Sequence, residues 1–248
     1  MKYFWINLDS AETRRNELLK EFEENKIDHI RVPAFGPMQE YLNKSTISKG
    51  ILEEACVRSH ILAIFSFVMN SRDEYGIICE DDLRFEYKPF WGDNTVENVF
   101  ENAPKDCGAL QLACIVQFID KKFADKDLYF KFHELATSSM LAYVIKRKCA
   151  EEILHHYINN SLKTIHKADD FQNGILPLIN KHTNFTSYTY KYPMFTYGDD
   201  IGVNDSQIMN NCGGLHDASK RGITHYLRQH KKEQEQKEQE QKEQEQKE

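Results

Sequence analysis

The chain has no long hydrophobic run. Its longest apolar segment, residues 61–69, is interrupted by Ser66 and falls well short of the roughly 18–20 apolar residues that a membrane-spanning helix needs. It has no excess of positive charge either, because 32 Lys and Arg face 39 Asp and Glu for a net charge of −7. Binding a phosphate backbone needs a basic face, so nucleic acid is excluded as a general partner. None of the six cysteines (Cys56, Cys79, Cys107, Cys114, Cys149 and Cys212) stands in a CxxC spacing, which argues against a zinc ribbon or a redox dithiol. Set mostly among apolar neighbours, they read as buried thiols of a reducing compartment. The first nine residues hold one lysine and a short apolar run before the chain turns polar, too little for a secretory signal. They read instead as a buried first strand of a cytoplasmic protein. On that reading the two glycosylation sequons, Asn184-Phe185-Thr186 and Asn204-Asp205-Ser206, are chance matches.

The negative charge is unevenly placed. Residues 232–248 contain only four Lys, seven Glu and six Gln, carry −3, and help to depress the mean hydropathy to −0.65. The remaining 231 residues carry −4 and are long enough to bury a real core. The tail repeats Lys-Glu-Gln-Glu-Gln with a period of five, which matches neither a heptad nor a strand. Glu233–Lys237, Glu238–Lys242 and Glu243–Lys247 are i,i+4 pairs in the favoured order, which supports a solvated helix, but there is nothing apolar to bury. Residues 231–248 are therefore expected to be a disordered or solvated helical tail with at most weak interactions, and residues 1–230 a single domain.

Within the body, short apolar runs alternate with helical patterns. Segment 2–8 reads as a strand with Tyr3, Trp5 and Asn7 on one face and Phe4, Ile6 and Leu8 on the other. Asp9 with Glu12 three residues on resembles a capping box for a helix over 11–24. Segment 27–35 fits a second strand, ended by Gly36-Pro37, and 38–50 is polar without a period. The spacing predicts a helix over 52–69 whose apolar face includes Ala55, Cys56, Ile61, Leu62, Ile64, Phe65 and Val68. Segments 75–79, 109–116 and 139–145 read as buried strands, with a helix over 147–159 after the last. This order predicts an α/β fold with a mostly parallel central sheet flanked by helices. Residues 166–214 look irregular and rich in Asp, Asn, Tyr and Gly, as segments on the substrate side often are.

Glu80, Asp81 and Asp82 follow the apolar run 75–79 directly. A triple acid can be a solvated turn, but ligands of open α/β sheets bind outside the carboxyl ends of strands. Three adjacent acids repel one another, and a hard divalent cation, especially one also bound to a diphosphate, offsets that charge. Period-two geometry lets Glu80 and Asp82 share a side, with Asp81 opposite.

Here the sequence resembles glycosyltransferase family 25, the lipooligosaccharide and collagen galactosyltransferase-like enzymes. Ile6-Asn7-Leu8-Asp9 with Arg14-Arg15 resembles the family's opening INLDxxxxR motif, and Ala55-Cys56-Val57-Arg58-Ser59-His60 its GCxxSH motif, with Ala in place of Gly. Ile77-Ile78-Cys79-Glu80-Asp81-Asp82 resembles its EDD strand. Residues 138–154 resemble a later AYxI segment, and Lys167-Ala168-Asp169-Asp170 an acidic motif, approximately matched, before the acceptor region. The resemblance covers about residues 2–210. It implies a GT-A-like fold, a UDP-sugar donor and a Mn²⁺ or Mg²⁺ ion. It also implies an inverting transfer of galactose or glucose to a hydroxyl of a glycan or protein, in lipopolysaccharide biosynthesis or collagen glycosylation.

The same resemblance distributes the roles. Asp82 is the first candidate metal ligand, and His216 a candidate to complete the site. Glu80 and Asp81 are placed at the donor ribose or behind the metal. Asn7, Leu8 and Asp9 are placed at the nucleoside, Arg15 (or Arg14) near the diphosphate, and Ser59 and His60 near the donor, where they could equally tie the helix to a loop. Asp169 and Asp170 are the candidate bases that deprotonate the acceptor hydroxyl, ahead of Asp199-Asp200. Two other readings compete. A two-metal phosphodiesterase or nuclease would need a further His/Asp constellation, and none stands at motif spacing. A silent binding module is disfavoured by the intact acids.

Overall fold

The structure is a computed structural model and describes residues 1–36, 49–116, 127–132, 134, 137–159, 174–198 and 213–245, with the side chains of 49–51, 116, 137–138, 213–216, 238, 241 and 243–245 excepted. The first half alternates as the hydrophobic pattern predicts. Strand β1 (Tyr3–Asn7) leads to helix α1 (Glu12–Asn25), then β2 (His29–Pro33), helix α2 (Lys49–Asn70) and β3 (Tyr75–Glu80). A short β4 (Leu83–Arg84) and helix α3 (Val96–Glu101) precede β5 (Cys107–Gln111), β6 (Ile115–Val116), β7 (Tyr129–Lys131) and β8 (Thr137–Ser138). Strand β9 (Ala142–Lys146) runs straight into α4 (Arg147–Ile158). Helix α5 (Ile175–His182), β10 (Thr186–Tyr190), β11 (Thr196–Tyr197) and α6 (Gly213–Glu245) complete the described chain.

Among the described residues the main sheet has seven strands in the order β2-β1-β3-β9-β5-β10-β7. Strands β2, β1, β3, β5 and β10 share one direction, while β9 and β7 oppose it. The sheet is therefore mostly parallel, with an antiparallel β9 in its middle. Side chains on β1 divide by period two, as expected of a strand buried on both faces. Phe4 and Ile6 enter the core beneath α2, α4 and α5, whereas Tyr3 and Trp5 enter the core beneath α1 and α3.

Four local expectations are corrected. Helix α1 is capped at Ala11 without a side-chain hydrogen bond, and Asp9 gives its carboxylate to Arg31 instead. On α2 the buried aromatic is Phe67, which packs edge-on against Phe4 at 5.5 Å, and Phe65 lies 45 % exposed at the margin of the apolar face. The strand expected over 109–116 is broken between β5 and β6, where Leu112 pairs instead with Ala142 and Met194 through backbone bonds. Segment 166–214 is less irregular than its composition suggests, since it supplies α5 and the sheet strand β10. That strand, Thr-Ser-Tyr-Thr-Tyr, lacks aliphatic residues but buries Ser187 and Thr189 by giving their hydroxyls to Leu176 and Gln111.

The distance between α2 and β3 is set at Gly76. A β-carbon there would stand 2.8 Å from the buried Phe67 ring. Gly76→Ala is thus expected to destabilise the protein by about 1–3 kcal/mol through overpacking, read as a lower midpoint in urea. An unchanged midpoint would refute this account of the helix–strand contact.

No helix of the described residues is long and apolar enough to cross a membrane. Helix α6 crosses into the Lys/Glu/Gln repeat without a break. Its anchored part ends near Lys231. Ile223 and Leu227 are buried, the His230 ring lies 4.2 Å from Tyr192, and Lys231 Nζ donates to Pro89 O at 3.1 Å. Deletion of residues 232–248 is expected to leave the urea and thermal stability of the remaining chain within about 0.5 kcal/mol. A larger loss would assign the repeat a role in the domain.

Candidate active site

The site grows from three neighbouring strand ends. Strands β1 and β3 are parallel with Ile6 opposite Glu80, and β2 and β1 with Trp5 opposite Arg31. That register puts Asn7, the last residue of β1, beside Asp81. Asn7 Nδ2 donates to Asp81 Oδ2 at 2.6 Å and to Ala11 O at 3.1 Å. Its Oδ1 accepts from Arg31 Nε at 3.0 Å, and Arg31 Nη2 also reaches Asp9 Oδ1 at 2.5 Å. Asn7 is 1 % exposed, and both polar atoms of its side chain are engaged, which holds Asp81 and Arg31 in place.

The acids diverge by strand periodicity. Asp81 turns toward α1, where Arg14 Nη1 stands 3.3 Å from its Oδ1. Glu80 turns toward α2. His60 Nε2 is 3.0 Å from Glu80 Oε1, and Cys56 Sγ is 3.8 Å from the same oxygen. Tyr143 on β9 places its hydroxyl 3.4 Å from His60 Nδ1. Asp82 is the second residue of the two-residue turn from β3 into β4. Its carbonyl accepts from Gly198 N at 2.9 Å, but its Oδ1 is buried with no hydrogen-bond partner among the described residues.

Burial and these neighbours set the proton affinities. Burial, then the charges of Glu80 and Asp81, push Asp82 up to about 7. Asp81 is also raised, chiefly by burial, against the opposing pull of Arg14 and the Asn7 hydrogen bond. Burial acts upward on Glu80 as well, but the hydrogen bond and charge of His60, with Arg14 behind them, outweigh it and leave Glu80 below the usual range. Cys79, within the strand, is pushed well up by burial and then by the three acids, so it is no nucleophile.

An orphaned, buried carboxylate oxygen amid other acids suits a hard cation, so Asp82 fits the kind of ion that the family resemblance implies. The other sequence candidates divide. Ser59 is 2 % exposed, accepts from Phe35 N at 2.9 Å and donates to Ala55 O at 2.7 Å; it ties α2 to the chain after β2. Arg15 pairs with Glu12 at 3.6 Å, so Arg14 is the arginine at the acids. Leu8 is partly buried beside Asn7 at the mouth of the strand ends. His216 lies in the first turn of α6, and its side chain is outside the description. Asp169, Asp170, Asp199, Asp200 and Cys212 lie outside the described residues. Arg31 and Tyr143 were not singled out from sequence, because only strand register and the β9 insertion bring them in.

The family model described as Glycosyltransferase family 25 (LPS biosynthesis protein) matches residues 1–172. No curated protein matches the chain. Among solved structures, the A197 protein from STIV is 11 % identical, with 79 % of this chain and 82 % of that one covered at a TM-score of 0.41. A glycosyltransferase involved in glycosylation of the major capsid of PBCV-1 is 5 % identical, with 89 % and 98 % covered at 0.44.

Proposed function

Because the chain belongs to glycosyltransferase family 25, we propose that it is a metal-dependent inverting enzyme that moves galactose or glucose from a UDP-sugar to an acceptor hydroxyl. The observation that carries this reading is Asp82, a carboxylate with one buried, unsatisfied oxygen at the end of a central strand. Asp82 would hold Mn²⁺ or Mg²⁺, with His216 as its proposed partner. When bound, such an ion offsets charge developing on the departing diphosphate.

The chain's own residues do the rest. Asn7 and Arg14 fix Asp81, so the strand end keeps its shape when the donor enters. Glu80, with a third of its side chain exposed and one oxygen held by His60, is the acid that would stand beside the donor ribose. Asp169 or Asp170 takes the proton from the acceptor hydroxyl as its oxygen attacks the anomeric carbon and UDP leaves with the bonding pair. An α-linked donor then gives a β-linked product. The family description makes a lipopolysaccharide glycan the first acceptor to try, and a hydroxyl on a protein the second.

The test is UDP release from UDP-galactose and UDP-glucose with and without Mn²⁺. Absence of metal-dependent release from any nucleotide sugar would overturn the proposal. Asp169→Asn and Asp170→Asn, made singly, separate the base from its neighbour. The base variant is expected to lose about 10²–10⁴-fold in transfer rate while still binding donor, and two variants of wild-type rate would remove both from the mechanism.

A further inference from the structure

We propose that Cys56, His60 and Glu80 form a second metal site, one that takes a borderline, thiophilic cation such as Zn²⁺. It differs in donor chemistry from the site proposed at Asp82, because Cys56 adds a soft thiolate ligand. Their ligand atoms, Sγ, an imidazole nitrogen and a carboxylate oxygen, all lie within 4.8 Å of one another. On a zinc tetrahedron with usual bond lengths such atoms stand about 3.3–3.6 Å apart. The observed separations from Glu80 Oε1, 3.0 Å to His60 Nε2 and 3.8 Å to Cys56 Sγ, bracket that range, and a few tenths of an ångström of side-chain rotation closes the difference.

The three ligands stand on rigid elements. Cys56 and His60 are i,i+4 on α2 and so share one face, while Glu80 ends β3. Helix and strand are held together by the contact of Phe67 with Gly76. A metal on His60 Nε2 leaves the ring proton on Nδ1, and the Tyr143 oxygen at 3.4 Å is placed to accept it. That is the usual second partner of a metal-bound histidine. His60 is fully buried, but Cys56 is partly exposed and the Glu80 side chain 33 % exposed. This gives the ion a path in and leaves a fourth position open. Mixed sulfur, nitrogen and oxygen donors select Zn²⁺ or Co²⁺ over Mg²⁺. In metal-free protein the position is closed by the hydrogen bond between His60 and Glu80, whose proton the cation would displace. Bound there, the ion would pin the start of α2 to the strand end that carries the acids.

The experiment needs no donor, so its failure leaves the transferase reading intact. The full chain is stripped with chelator and titrated with Co²⁺. A near-ultraviolet thiolate-to-cobalt band saturating at one equivalent and bleached by Zn²⁺ is expected. Cys56→Ser should abolish the band, Asp82→Ala should keep it, and Tyr143→Phe should weaken Zn²⁺ binding about tenfold. In the unaltered chain, Zn²⁺ should protect the Cys56 peptide from alkylation, a readout that does not depend on any variant folding. No thiolate band, a band that survives Cys56→Ser, or Cys56 labelling indifferent to Zn²⁺ would overturn the site and leave a hydrogen-bonded His–Glu pair.

Discussion

Asp82→Asn is expected to remove metal-dependent UDP release and, at the same time, to make the metal-free protein more stable above neutral pH. The first effect follows from deleting the proposed ligand. Metal stabilisation of a leaving diphosphate is worth several kcal/mol, so turnover should fall about a thousandfold or more. The second follows from linkage. Asp82 is raised to about 7 in the fold from an ordinary value of 3.8. Below about pH 4 it is protonated in both states and has no effect. Between about 4 and 7 the unfolded chain loses its proton first, so stability falls as pH rises, and above 7 the whole penalty of the buried charge is present. By the usual conversion that penalty is at most about 4 kcal/mol.

An asparagine carries no such charge. The gap in Tm between variant and wild type, measured in chelator, should therefore be small at pH 4 and widen by pH 8, at about 2–4 °C per kcal/mol. The groups facing Asp82 modify this curve without reversing it. Asp81 is raised as well and shares the sign. Glu80 is lowered, so its contribution is present above its ordinary value and lost as pH falls. Removing the Asp82 charge relieves both neighbours. A gap that stayed flat with pH would show that Asp82 is not a buried, strained acid.

Arg14→Met should be the most damaging single change outside the hydrophobic core. It strands Asp81, whose side chain is 8 % exposed, with Asn7 as its remaining partner at the site. Removing one member of a buried pair costs about 3–5 kcal/mol. Arg14 keeps 25 % of its exposure, which screens the pair and puts the expected cost near the lower end, about 3 kcal/mol. Arg14 also lowers the proton affinity of Asp82. Its loss should therefore let protons compete better with the metal and shift the Mn²⁺ requirement upward at neutral pH. Adding Asp81→Asn should recover much of the stability by removing the stranded charge. Urea unfolding of the single and double variants measures both effects, and an Arg14→Met protein within about 0.5 kcal/mol of wild type would break the argument.

Both predictions concern a site whose components are partly written in the sequence. A buried strand running into Glu80-Asp81-Asp82 marks a strand end that carries acids, because only a strand covered on both faces is continuously apolar. The alternation of Tyr3, Phe4, Trp5 and Ile6 likewise shows two cores on either side of β1, and the structure has them. Segment 175–190 was harder to read. An eight-residue helix containing Pro177 and a strand made of Thr, Ser and Tyr carry neither a clear period nor an aliphatic run. Their burial is supported by hydroxyl hydrogen bonds to distant residues, which no local pattern announces.

The sequence by itself determined the α/β class, the two-sided burial of β1 and β3, and the position of the acids at a strand end, since each depends on spacings of only a few residues. The tertiary structure decided which groups those acids meet. The parallel register of β1 on β3 brings Asn7 to Asp81, and the facing of α2 brings His60 and Cys56 to Glu80. Arg14, not Arg15, reaches Asp81, and Asp82 keeps a buried oxygen without a partner. These are contacts between residues far apart in the chain, set by packing of whole elements, so charge repulsion at Glu80–Asp82 can be foreseen from the chain but its resolution only from the fold.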